Sequence, residues 1–199
     1  MKDSRIETTL TVVRNYLEKF SSITDSDWEF FSSRLIPRQI AKKTTFLKLN
    51  SVESTISFIV SGMVRLYIPE SEDSKEITFG FSFQEQFISA YDSFLTRTPS
   101  QYELQTLTDT SLLTMTYENL QEVYKTTQIG NLIGRLTAER LFLIKSKREQ
   151  TLLQNTAEER YLNIFKYHPE MIQRIPLKYI SSYIGVTPQA LSRIRKKIT

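Results

Sequence analysis

The sequence contains no cysteine. This absence excludes disulfide bonds, zinc–thiolate sites, iron–sulfur clusters and thiol nucleophiles together, because each of them requires a cysteine sulfur. The chain has a single histidine, His168, close to the predicted end of a helix and outside the strand-rich region. An ordinary surface role fits this position better than metal or haem ligation does. The sequence therefore predicts no metal site and no cofactor.

Long apolar runs are also missing. The longest is LFLI at residues 141–144, whereas a membrane-spanning helix needs about 20 apolar residues. The first residues mix charges of both signs, unlike a signal peptide. A hydrophobic content of 40% with 24% charged residues is typical of a folded, soluble protein. We therefore expect a cytoplasmic protein that does not contact the membrane.

Signatures of catalysis are equally scarce. The stretch GFSFQ at residues 80–84 approaches a nucleophile elbow but lacks its closing glycine, and the sequence contains no phosphate-binding loop or metal-ligand cluster. The carboxylates of Glu70, Glu72 and Asp73 follow one another closely, as in a solvated loop rather than an acid–base pair. We therefore expect that the protein is not an enzyme.

Acidic residues are absent from residue 171 to residue 199, although this segment holds six lysine and arginine residues. Because the whole chain has a formal net charge of +4 and this segment contributes +6, the first 170 residues carry −2. Such segregation indicates a polyanionic partner, most commonly nucleic acid. Charge alone is equally compatible with a basic helix kept for solubility.

The sequence pattern predicts helices followed by strands in the N-terminal part of the chain. Apolar residues recur at helical spacing from Ile6 to Phe20, and Thr24 with Asp27 is typical of the capped start of a second helix. From about residue 40 to residue 116 the pattern changes to β-branched residues and alternation, which predicts short antiparallel strands in a sandwich or small barrel. Ser61 and Gly62 separate two of these strands and predict a tight hairpin.

Helical periodicity returns near Tyr117 and continues from Gln128 to about Asn155. At roughly 1.5 Å per residue, a helix over residues 128–155 would extend beyond the barrel, so part of its apolar side needs another partner. We expect that partner to be a second copy of the chain, contacted through Ile129, Leu132, Ile133 and Leu136. The alternative is a core helix packed inside one subunit, because the heptad pattern weakens after Leu136.

Two short helices around a turn are predicted at the C-terminal end. Pro176 suits the first turn of one helix, Gly185 can end it, and Thr187 with Pro188 can start the next as N-cap and first helical residue. This spacing is typical of a helix–turn–helix. Ala190, Leu191 and Ile194 would pack inward. Glutamine and arginine on the other side can hydrogen-bond base edges, and the lysines can neutralise phosphates.

Three stretches carry a family resemblance: FIVSGMVRLY at residues 58–67, LTDTSLLTMTYENLQEVY at 107–124 and IPLKYISSYIGVTPQALSRIRKKI at 175–198. With them the chain resembles the cyclic-AMP receptor protein and FNR (CRP/FNR) superfamily of bacterial transcription regulators, of a kind seen in Bacteroidetes. The resemblance implies an α+β fold in three parts: an N-terminal antiparallel β-barrel, a cyclic-nucleotide-binding-like jelly roll with its N-terminal helices, at residues 1–127; a dimerisation helix at 128–155; and a helix–turn–helix DNA-binding domain at 156–199.

The same resemblance implies a homodimer that binds a pseudo-palindromic operator in double-stranded DNA and contacts RNA polymerase. The resemblance places Thr187, Pro188, Gln189 and Arg193 at the base-facing positions of the second helix, with Ser192 beside them. Because lysines can neutralise phosphates, Lys196, Lys197 and Lys178 are further candidate DNA-binding residues.

The resemblance also places the effector pocket. Where cyclic-nucleotide binders of the family have a glutamate and an arginine, this chain has Ala90 and Ser100, which cannot bind the ribose and the phosphate. We therefore expect regulation without cyclic AMP, with the pocket empty or used by an unknown small-molecule effector. The alternative function is a ligand-binding or protein-interaction module whose basic tail docks an acidic partner.

Overall fold

The computed structural model describes residues 4–72 and 75–198, except for the side chains of residues 4–6 and 170. The side chain of Ile6 and the loop residue Asp73, both used above, lie outside this part. Two compact units divide the chain: Met1–Leu66 with Phe81–Glu139, and Tyr67–Gly80 with Arg140–Thr199. Within the described ranges, no helix is both long enough and apolar enough to cross a membrane.

In the described part of the chain, eight strands form two four-stranded antiparallel sheets, with the orders β1-β8-β3-β6 and β2-β7-β4-β5. This arrangement confirms the predicted α+β class and the jelly roll, although the sheets do not close into a continuous barrel. The strands are β1 Ile36–Ile40, β2 Thr45–Leu47, β3 Thr55–Ser61, β4 Met63–Ile68, β5 Ile77–Phe83, β6 Phe87–Ile88, β7 Glu103–Thr106 and β8 Thr110–Thr116.

The turn at Ser61 and Gly62 differs from the sequence prediction. Strands β3 and β4 lie in different sheets, so the predicted tight hairpin is wrong and the chain instead changes sheet at this point. Gly62 has φ +110°, and a Cβ atom there would lie 2.5 Å from Oγ1 of Thr110. A tight hairpin and a turn between two sheets can both require positive φ at the turn residue. A glycine between two strand patterns therefore does not distinguish the two.

The core of the first unit lies between the β3 and β8 face of one sheet and the helices that cover it. Alternation in β3 directs Phe58 to this side, where it is fully buried, and leaves Ser57 to hydrogen-bond Thr114 across the strands at 2.8 Å. Burying a side chain as large as Phe58 contributes roughly 1.5–3 kcal/mol. The helices of this unit are α1 Ser4–Glu18, α2 Asp25–Ser32, α3 Tyr91–Thr96, α4 Tyr117–Thr126 and the first part of α5 Gly130–Gln154.

The second unit contains the rest of α5 and four further helices: α6 Ala157–Tyr167, α7 Pro169–Arg174, α8 Leu177–Ile184 and α9 Pro188–Ile198. A capping box at Thr156 and Glu159 starts α6. Apolar side chains from four of these helices are buried, namely Tyr161, Ile164, Met171, Ile180, Ile184 and Leu191. The domain boundaries at residues 127 and 155 remain predictions, because the division into units follows other positions.

Candidate nucleic-acid interface

Helix α8 ends and α9 begins within three residues, as the sequence predicts for a helix–turn–helix. Gly185 has φ +78°, a left-handed conformation that closes a helix at little cost for glycine. Thr187 then acts as N-cap, since its Oγ1 accepts a hydrogen bond from the backbone N–H of Ala190 at 3.2 Å. Pro188 occupies the first helical position, where its missing N–H removes no helical hydrogen bond.

Helix α9 has one side that packs into the unit and one side that is exposed. Leu191 is buried, while Ile194 is half-buried. All the predicted DNA-binding residues are exposed: Thr187, Pro188, Gln189, Ser192, Arg193, Lys196 and Lys197 at α9, and Lys178 on α8.

Only some of the exposed residues of α9 lie on the same face of the helix. At about 100° per residue, the side chains of Gln189, Ser192, Arg193 and Lys196 fall within an arc of about 100°. The structure thus brings these four together on one face. Lys197 lies to one side of it, and its Nζ is 3.8 Å from a carboxylate oxygen of Glu158.

Three polar side chains that no sequence pattern indicated, one on α8 and two on other helices, form long-range hydrogen bonds at α8. The hydroxyl of Ser182 accepts a hydrogen bond from the N–H of Thr78 at 2.8 Å and donates one to the carbonyl of Glu76 at 3.1 Å. The guanidinium groups of Arg148 and Arg160 donate to carbonyls at the end of the same helix. These partners are 24 to 106 residues apart in the chain, so no local pattern in the sequence could have indicated them.

Arg148 is partly withdrawn from water. Burial lowers the pKa of its guanidinium, the contact with Tyr183 opposes this shift, and the positive charge of Arg160 adds to it. Arginine is too strong a base to lose its proton near neutral pH, so the side chain stays charged despite this shift. A fixed positive charge therefore lies beside the end of α8.

The dimer stripe on α5 stays a prediction, and its N-terminal residues contact the core of the first unit. Ile129 is buried in the core of the first unit, and Ile133 packs against that core, so both face their own subunit. Leu132 and Leu136 are half-buried, and Leu143 is 66% exposed. At about 100° per residue these three leucines lie on one side of the helix.

The two positions implied for an effector pocket are buried. Ala90 is fully buried just before α3, and Ser100 is buried with its hydroxyl bonded to the backbone carbonyl of Tyr102 at 2.8 Å. A separate apolar cavity of about 30 Å³ lies in the first unit, between Tyr91, Tyr124 and Gly134 among others. It has room for one or two water-sized molecules, whereas ligand pockets typically measure about 300–1,000 Å³.

Metal ligation receives no support from the described residues. They contain no group of three or more histidine, cysteine, aspartate or glutamate residues that could hold a metal ion. The single histidine, His168, lies exposed between α6 and α7.

Comparison with known proteins gives a consistent result. The family model of the cyclic nucleotide-binding domain matches residues 37–127. The CRP-like protein Clp of Xanthomonas oryzae pv. oryzae is 21% identical, over 100% of this chain and 92% of Clp. The Clp protein of Xanthomonas campestris pv. campestris is also 21% identical, over 81% of this chain and 76% of that protein.

Solved structures share the fold. The structure of Clp from Xanthomonas campestris, described as a c-di-GMP-responsive global regulator, has a TM-score of 0.68 at 19% identity and covers 88% of this chain and 91% of its own. A CRP/FNR-family regulator from Eubacterium rectale has a TM-score of 0.67 at 19% identity, covering 92% and 87%. The resemblance predicted from the sequence is therefore confirmed: residues 37–127 match the cyclic nucleotide-binding domain family, and the whole chain is similar to CRP-like regulators in sequence and to CRP/FNR regulators in fold.

Proposed function

We propose that this protein is a transcription regulator of the CRP/FNR type that binds a specific DNA sequence and does so without cyclic AMP. The observation that carries the proposal is the exposed face of α9. Gln189, Ser192, Arg193 and Lys196 lie on it side by side, and no acidic residue occurs between residues 171 and 199. Leu191 anchors the opposite side of the helix in the unit.

The chemistry of this face suits the major groove. Arginine can donate two hydrogen bonds to guanine and glutamine can bond adenine through both of its polar atoms, so these side chains distinguish base pairs. Lysine contributes a point charge next to the phosphates, which adds affinity without adding sequence discrimination. Base readout is therefore assigned to Gln189 and Arg193, and phosphate contact to Lys196 and Lys197.

We propose further that the protein acts as a homodimer joined along α5 through Leu132, Leu136 and Leu143. A twofold dimer presents two copies of α9, which fits a pseudo-palindromic operator with half-sites about 34 Å apart. Contact with RNA polymerase belongs to the same proposal, since a regulator bound at an operator acts on transcription.

Independence from cyclic AMP follows from the two substituted positions. A cyclic phosphate held away from water needs a cationic partner, and Ser100 supplies a hydroxyl that is already engaged by the backbone of Tyr102. Ala90 supplies no polar group for a ribose. The jelly roll then serves as the scaffold of the dimer or as the receptor for a less charged effector.

A salt-dependent binding titration tests the central proposal. The wild-type protein is titrated by fluorescence anisotropy against the upstream region of its own gene and against a random duplex of equal length, over a series of salt concentrations. We expect the upstream region to bind at least about a thousandfold more tightly than the random duplex. Equal binding of both duplexes at every salt concentration would contradict the proposal and favour a basic tail that docks an acidic partner.

A further inference from the structure

The last turn of α8 has donors for all its final carbonyl groups. A helix leaves the last four carbonyls without partners from the helix itself, and in α8 these belong to residues 181–184. The N–H of Gly185 bonds the carbonyl of Ser182 at 3.0 Å, and the N–H of Val186 bonds the carbonyl of Ser181 at 2.9 Å. These two bonds close the turn in the manner of a glycine C-cap.

Two arginines from other helices bond the remaining carbonyls. Nη2 of Arg148, on α5, donates to the carbonyl of Tyr183 at 2.8 Å, and its guanidinium carbon lies 3.8 Å from the centre of the Tyr183 ring. Nε of Arg160, on α6, donates to the carbonyl of Ile184 at 2.8 Å. Arg160 also donates to the carbonyl of Asn155, the residue after the end of α5. The end of α8 is thereby tied to two different helices.

The energetics favour a fixed turn. A positive charge at a helix C-terminus is stabilised by the helix dipole, and hydrogen bonds from a charged donor are stronger than neutral ones. Because Thr187, the N-cap of α9, follows Gly185 by only two residues, the direction of α9 depends on how firmly the end of α8 is held.

We propose that Arg148 and Arg160 are positioning residues, which fix the turn at residues 185–187 and so set the direction in which α9 meets DNA. The inference rests on the proposed function, because it concerns how well the binding face is prearranged. Neither arginine needs to touch DNA in this role. An unanchored turn would have to lose conformational freedom on binding, and that loss lowers affinity.

The first test needs no DNA. Amide hydrogen exchange is measured across residues 185–190 in full-length wild-type protein, Arg148→Gln and Arg160→Gln. Lys147→Gln is the matched control, because Lys147 is an exposed neighbour on α5 and loses the same charge. We expect exchange in this segment to be at least about tenfold faster in both arginine variants and unchanged in the control.

The second test uses a duplex that the wild-type protein selects from a randomised pool, together with a scrambled duplex of the same composition. Loss of one charge-assisted hydrogen bond should weaken binding of the selected duplex about tenfold. The affinity for the scrambled duplex and the salt dependence should match those of Lys147→Gln. A purely structural role would weaken binding of both duplexes together.

Arg148→Lys separates positioning from folding. A lysine at this position can restore one bond to the carbonyl of Tyr183 but not the stacking on its ring, so we expect intermediate exchange and partly recovered discrimination between the duplexes. If the glutamine variants do not fold, faster exchange at residues 185–190 in Arg148→Lys than in wild type supports the proposal, and unchanged exchange contradicts it.

The remaining outcomes are equally decisive. The positioning role would be overturned if both arginine variants matched Lys147→Gln in two measurements: amide exchange at residues 185–190, and the difference in affinity between the selected and scrambled duplexes. If the wild type itself does not discriminate between duplexes, the proposed function fails, and the exchange measurement alone decides whether the arginines hold the turn.

Discussion

At the scale of single residues, substituting a base-reading side chain should affect DNA binding differently from substituting a phosphate-contacting one. Arg193→Ala should cost about 1–3 kcal/mol of binding to the preferred sequence and relax the preference at one base pair. Lys196→Ala should weaken binding to all sequences and reduce the salt slope by about one. Arg195→Ala is the control, because that exposed arginine lies outside the shared face of α9. Equal effects of Arg193→Ala and Arg195→Ala on specificity would contradict the assigned face.

Replacing either of the two glycines with positive φ should lower the free energy of unfolding, but by unequal amounts. Gly62→Ala introduces a Cβ atom only 2.5–2.9 Å from atoms of Thr110 and Asp109, in addition to the strain of positive φ. At Gly185 the nearest atom would be Nη2 of Arg160 at 3.8 Å, so Gly185→Ala should cost only the strain, about 1–2 kcal/mol. Urea unfolding of both variants measures the difference. A smaller loss of stability for Gly62→Ala would show that the corner between the sheets can relax.

At the scale of elements, α5 is the part whose exposed apolar side chains require a partner. Leu136→Glu places a charge in the proposed contact between two copies of α5, where burying it unpaired is costly, so the variant should be monomeric. Ala138→Glu is the matched control, since it adds the same charge at an exposed position about 200° away around the helix. Sedimentation velocity distinguishes the two states. If the Leu136→Glu variant folded and stayed dimeric, the dimer interface would not lie at this part of α5.

At the scale of the whole molecule, ligand binding can be detected through stability. A ligand that binds only the folded state adds about 2.7 kcal/mol at a hundredfold excess over its dissociation constant, which corresponds to a rise of roughly 5–10 °C in Tm for a protein of this size. Cyclic AMP and cyclic GMP should leave Tm unchanged, because Ala90 and Ser100 offer no charge to the phosphate. DNA binding should likewise not require either nucleotide. A saturable rise in Tm at micromolar cyclic nucleotide would contradict this.

The sequence by itself determined the features that depend on neighbouring residues. The capping box at Thr156, the C-cap at Gly185 and the N-cap at Thr187 are formed by groups within four residues of one another. Their signatures are therefore readable without the fold. The helical start, the strand-rich middle part, the long helix and the basic face of α9 follow from periodicity and composition in the same way.

Only the tertiary structure decided the features that depend on distant parts of the chain. Whether the turn at Gly62 joins partners in one sheet or passes between two sheets depends on which strands pair with β3, and these come from residues 87–88 and 110–116. Ile129 belongs to a core cluster whose other buried members come from positions 13 to 123 of the chain. Arg148 and Arg160 reach carbonyls 35 and 24 residues away. Such pairings have no local signature, because they form only when the chain has folded around both groups.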